Sequence, residues 1–212
     1  MNEADSPTAR LSLTEIDALC RKAARGGGCP WGMAEEAGRA SRWLASHGLP
    51  GPEALAALLD TPRNCRCGAA TQGPGCALNL GAELSDAAET VAKHGTLQFG
   101  LVASPLLMLA QAGQAAQALN VSLTLQWTGF RATCSSDGLW IERDESRDTA
   151  VAQDVVCILA SSSGPARPPA SSSRPVDSAA LHRLETLAAR TCAPATDASR
   201  ARGAGAANLD KD

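Results

Sequence analysis

The sequence predicts an α+β fold with N-terminal helices, a central antiparallel sheet of about four strands, and a C-terminal helix on a tether. Three observations predict it. Between Ser12 and Leu59, apolar residues recur at helical spacing between start and stop signals. Between Val121 and Ala160 the spacing falls to two and is punctuated by turn residues. Between Ser161 and Val176 neither period survives, and Ser, Pro, Arg, Gly and Ala dominate.

The first helix is announced by Ser12 and Glu15 at capping-box spacing, with Leu11 and Ile16 placed as the apolar staple across it. Leu13, Ile16, Leu19, Cys20 and Ala23 continue the period, and Gly26, Gly27 and Gly28 end it. A second helix opens near Pro30 and runs to about His47, where Gly48 supplies a left-handed cap. Its face of Ala34, Ala37, Ser41 and Leu44 is mostly small, which allows a neighbouring helix to approach closely. A third, short helix is expected over Pro52 to Leu59.

Asp60 to Gly75 reads as a loop rich in turn residues, followed by a short strand over Ala77 to Leu80. Leu84 to His94 then reads as a helix ending at Gly95, and Leu97 to Ala103 as a strand. Pro105 begins a helix that is apolar nearly all round to Leu119, and is therefore expected to be buried. Val121, Leu123, Leu125 and Trp127 alternate with Ser122, Thr124 and Gln126, which predicts a strand with one buried and one open face. Turns at Thr128-Gly129 and Ser136-Asp137-Gly138 make a meander that closes with a strand over Val151 to Ala160. The organisation expected is a main domain over 11–160, a linker over 161–176, and a C-terminal helix with a flexible tail over 177–212. The helix carries a stripe of Leu181, Leu184, Leu187 and Ala188, which must dock either on the main domain or on another chain.

Composition narrows the function. Setting the low-complexity stretches aside leaves about 160 residues, enough to bury roughly 70% of the unfolded surface without a disulfide or metal. The net charge of −3, with no Tyr and only two Phe, speaks against a nucleic-acid binder, which needs a basic stripe and stacking aromatics. The apolar run from Phe99 to Ala110 is interrupted by Pro105 and is too short to span a bilayer, so no membrane association is expected. Met1 to Arg10 has no apolar segment of the secretory type, so a cytoplasmic protein with reduced thiols is expected.

Several residues invite a chemical role. Cys65, Cys67 and Cys76 have part of a zinc-ligand spacing, but a fourth ligand is missing and Arg63 and Arg66 lie alongside. Three ordinary loop thiols are the plainer reading, and no metal or cofactor is expected. Trp31, Glu35, Arg39 and Trp43 step by four along the second helix. They describe either a pocket wall in which Arg39 holds a carboxylate, or a surface ion pair flanked by packed indoles. Glu36, beside them, is either a general base or a solvated carboxylate. His47 and His94 each precede a glycine at a helix end, where a histidine caps carbonyls. Ser199 and Arg200 in the tail are either anion-binding or frayed. No Gly-x-Ser-x-Gly elbow, phosphate-binding glycine loop or His-Glu-x2-His pair is present.

The stretch LSLTEIDALCRKAARGGGCPWGMAEEAGRASRWLASHGLPG (Leu11 to Gly51) resembles the N-terminus of the DUF3726 family, bacterial proteins of unknown function. The tail LAARTCAPATDASRARGAGA (Leu187 to Ala206) is similar to that family's C-terminal segment. The resemblance implies a bacterial protein but no mechanism. The function expected is thus a non-catalytic or accessory protein of bacterial metabolism, acting through a partner or a second copy, with the C-terminal helix as its surface. The alternatives are a small-molecule enzyme or binding protein with its site at Trp31, Glu35 and Arg39, and a zinc-stabilised module on Cys65, Cys67 and Cys76.

Overall fold

The computed structural model describes residues 8–60, 73–161 and 164–192. Strand β1 (Thr8–Ser12) runs straight into helix α1 (Leu13–Gly26), and the expected capping box forms. The Glu15 N–H donates to Ser12 Oγ at 3.2 Å, and the Ser12 N–H donates to Glu15 Oε2 at 2.8 Å. Ile16, Cys20, Ala23 and Ala24 are buried along one face, as the period requires. Helix α2 (Trp31–Ser46) turns back against α1. Gly38 makes this possible, since a Cβ there would lie 2.9 Å from the Asp17 carbonyl oxygen. The helix closes as expected: Gly48 is left-handed (φ 75°), its N–H donates to Ala45 O, and the Leu49 N–H donates to Leu44 O. Helix α3 (Gly51–Asp60) completes the N-terminal layer.

A two-residue strand β2 (Gly75–Cys76) precedes α4 (Ala77–Asp86). The strand expected over Ala77 to Leu80 is therefore the first turn of a helix. Ala77, Leu78, Gly81 and Leu84 are its buried side, which is a helical period that a four-residue window hides. The helix expected over Leu84 to His94 breaks at Ala87 into the end of α4 and α5 (Ala88–His94), which stops at left-handed Gly95. Strand β3 (Thr96–Ala103) leads through left-handed Ser104 and a 3₁₀ turn (Pro105–Leu107) into the buried helix α6 (Met108–Leu119).

The meander follows as β4 (Leu123–Trp127), β5 (Phe130–Ser135), β6 (Gly138–Asp144) and β7 (Val151–Leu159). The sheet is larger than the four strands expected. Its order is β2-β3-β7-β4-β5-β6, antiparallel except for the parallel β2–β3 pair. Leu123, Leu125, Ala132, Cys134 and Cys157 are buried, and the Cys134 thiol donates to Leu109 O, which places α6 on this face. The opposite face is not simply open. Thr124 and Thr133 are buried there with their hydroxyls 2.7 Å apart, and Gly164 lies against the ring of neighbouring Trp140.

The segment expected to be a linker is held to the body at successive points. Arg167 and Leu139 exchange backbone hydrogen bonds at 2.8 and 2.9 Å. The N–H groups of Ala170 and Ser171 donate to Ser46 O, and the Leu13 N–H donates to Ser172 O. Ser173–Asp177 is a strand, β8, paired antiparallel with β1 in a separate two-stranded sheet. Asp177 caps α7 (Ser178–Ala189) by accepting from Ala179 N and Ala180 N. The stripe of α7 docks on its own chain: Leu184, Leu187 and Ala188 are buried where α7 meets α1 and α3.

Candidate functional site

The stripe on α2 does not converge on a pocket. Each four-residue step turns about 40° around a helix, so Trp31 and Trp43 end up about 120° apart. Trp31 is 66% exposed at the start of α2, with the Arg25 guanidinium 5.0 Å from its ring centroid. Trp43 instead packs on α6, where Gly113 leaves room for it, and meets the tilted ring of His47 with centroids 4.0 Å apart. Between them Arg39 reaches Glu36 at 2.9 Å and Glu35 at 3.6 Å, with the Arg39 and Glu35 side chains half exposed. This is the geometry of a surface ion pair, which contributes little to stability or to holding a ligand.

Cys65, Cys67, Ser199 and Arg200 lie outside the described residues. Cys76 is buried at the start of α4, and no cluster of three metal-ligating side chains occurs among the described residues. Cys20 and Cys157 are the small buried hydrophobes that their apolar settings predict. Burial pushes both thiols up to about 12, and pushes Cys134 up as well, so all three stay protonated and unreactive. His47 caps α2 as expected, its Nδ1 2.9 Å from Trp43 O. Burial pushes its pKa down, against the smaller opposing pull of that contact.

A site does form where sequence reasoning did not place one. A groove of about 580 Å³ lies between the C-terminal end of α2, the edge strand β6 and the 165–171 segment. Leu49, Leu139 and Ile141 supply apolar surface, and His47 and Trp140 supply rings. Pro165 and Pro168 stiffen the outer wall. The charged lining is Asp144, Arg147 and Arg167. Arg147 and Asp144 form an ion pair. Arg167 has no carboxylate partner among the described residues, and its backbone is pinned by the two bonds to Leu139. The volume and the mixture of apolar wall and few polar groups suit a small organic molecule.

Arg147 also lines a smaller cavity of about 150 Å³ with Glu53, Ser104, Asp148 and Thr149. Ser104 is one of three non-glycine residues with positive φ among the described residues, at 49°. A depression of about 620 Å³ on the outer sheet face is lined by Gln126, Arg131, Glu142, Arg143 and Asp154. Its Arg131 is already taken by Glu142 at 2.7 Å and Gln126 at 2.6 Å. The signals that could have found the groove were His47 and the hairpin at Gly138. Each also has a purely local meaning, a helix end and a turn.

Fold and groove define an α+β protein with a cleft between its helical layer and the edge of its sheet. Over residues 11–96 the chain matches the model of the family described as Protein of unknown function (DUF3726). The matched stretch holds α1 to α5, including the α2 end of the groove; β6 and the 165–171 wall lie beyond it. The likeness read at Leu187 to Ala206 also lies outside the match. No curated protein and no solved structure matches the chain.

Proposed function

We propose that the protein is a non-catalytic binding protein that holds a small organic molecule in the groove between α2, β6 and the 165–171 segment. The observation that carries this reading is the groove itself, lined by apolar Leu49, Leu139 and Ile141 together with charged Asp144, Arg147 and Arg167. The accessory role expected from the sequence is kept, but its working surface moves. The α7 stripe is spent on α1 and α3, so a partner or second copy cannot use Leu184 and Leu187 without displacing them. A bacterial, cytoplasmic setting is part of the same proposal, and buried Cys20, Cys134 and Cys157 as free thiols fit it. None of the described helices is long and apolar enough to cross a membrane.

The test is a thermal-shift screen of small organic acids, alcohols and amines on wild type and on Ala170→Trp. Ala170 is an exposed groove residue, so an indole there fills the space with little cost to folding. At least one class is expected to raise Tm in wild type and to lose that effect in the variant. Shifts of equal size in both proteins would place binding elsewhere and end the reading.

A further inference from the structure

We infer that the ligand of the groove is a small amphipathic anion, an organic carboxylate with an apolar body, and that Arg167 is the residue that receives its charge. The inference rests on the groove being a binding site and goes on to its ligand's chemistry. Three observations carry it. The charged groups lining the groove are Arg147 and Arg167 against Asp144 alone, so the lining has an excess of positive charge in a protein whose net charge is −3. Asp144 is committed to Arg147, which leaves Arg167 as the groove-lining cation that forms no ion pair among the described residues. And Arg167 stands on a backbone fixed at both its N–H and its C=O to Leu139, so its position relative to the apolar base does not depend on a mobile loop.

The arrangement matches one kind of molecule. Leu49, Leu139 and Ile141 give an unbranched or cyclic hydrocarbon a surface to cover. The Arg167 guanidinium can donate two parallel N–H···O bonds to a carboxylate whose hydrocarbon lies on that apolar surface. A cationic ligand would meet Arg167 and Arg147 directly. A neutral one would gain the apolar contact and nothing from the rim. His47, neutral because burial lowers its pKa, adds no competing charge near neutral pH.

The experiment is calorimetric titration of the full chain with octanoate and, separately, with octanol at low salt. Wild type is expected to bind octanoate about tenfold more tightly than octanol, the scale of one charge-assisted pair. Arg167→Gln is expected to lose that tenfold preference and keep its affinity for octanol. Arg39→Gln, on the far ion pair, serves as the control for a general charge effect and is expected to change neither. Octanol binding as well as octanoate in wild type would overturn the anion inference while leaving the groove reading intact. Octanoate preference that survives in Arg167→Gln would overturn the role of Arg167. Binding of neither probe would overturn the groove reading and the inference with it.

Discussion

Helices α1, α2 and α7 meet through side chains, and through glycines that let backbones touch. The 164–172 segment lies on the sheet edge mainly through its own N–H and C=O groups. In the helical layer, Ile16, Ala37, Leu44 and Leu184 are each fully buried, and at Gly26 a Cβ would come within 1.8 Å of the Leu187 carbonyl oxygen. Along the segment the side chains of Pro165, Arg167 and Pro168 are exposed, while backbone bonds to Leu139 and Ser46 do the holding. The first region is core, and its loss is the loss of the fold. The second is a cover held at a few backbone points, so its loss is expected to leave the core standing. The groove lies between the two, with a side-chain-packed wall on one side and a main-chain-held wall on the other.

The largest effect is expected in the helical layer. Leu184→Ala removes a fully buried side chain from the α7 contact and should cost about 3 kcal/mol. Urea unfolding checks it: the midpoint should fall with an unchanged slope, since α7 belongs to the same cooperative unit. A reduced slope, or a separate early transition, would mean that α7 comes away alone and that the two regions are not as different as their contacts suggest.

A smaller and more local effect is expected at Gly138. Its φ of 129° suits glycine, and a Cβ there would lie 2.2 Å from the Arg167 carbonyl oxygen. Gly138→Ala should therefore strain the hairpin and push the segment off β6, costing about 2 kcal/mol. Hydrogen exchange separates this from a global loss. The amides of Arg167, Ala170 and Ser171 should exchange faster, while those of α1 and α2 change only by the global amount. Uniform acceleration would sink the idea of a separable cover.

The same contrast explains what was legible in the sequence. Helical caps and periods are written in side chains, so the Ser12–Glu15 box, the Gly48 cap and the burial of Ala34, Ala37, Ser41 and Leu44 were all readable. Backbone pairing is not written in side chains. Arg174-Pro175-Val176 carries no strand signal, yet it pairs with β1 because Glu53 holds Arg174 at 2.8 Å and accepts from the Asp177 N–H. The 164–172 segment has no apolar period because the groups that anchor it belong to the main chain. The groove escaped for a related reason. Its lining comes from α2, β6 and a segment more than a hundred residues beyond α2, none with a motif of its own. The stripe at Trp31, Glu35 and Arg39 did have a pattern, and the pattern described a solvated helix face.

The smallest effect sits where the two regions meet, at His47. Its imidazole is half-buried between the Trp43 ring and the groove, and burial lowers its pKa below the ordinary 6.5. The folded state therefore binds a proton less readily than the unfolded state does. The sign follows: the histidine's contribution is fully present above about pH 6.5 and is lost as pH falls from there toward its folded value. Wild type should lose stability over that window, and His47→Gln should lose less, with the two curves parallel at higher pH. Urea midpoints at half-unit intervals from pH 7.5 to pH 5 on both proteins make the measurement. An octanoate bound at Arg167 brings a negative charge toward the same groove, which raises the cost of keeping His47 neutral. With octanoate present the wild-type curve should flatten toward that of the variant. A curve that ignores octanoate would mean that the charge on the ligand and the ring of His47 do not share one site.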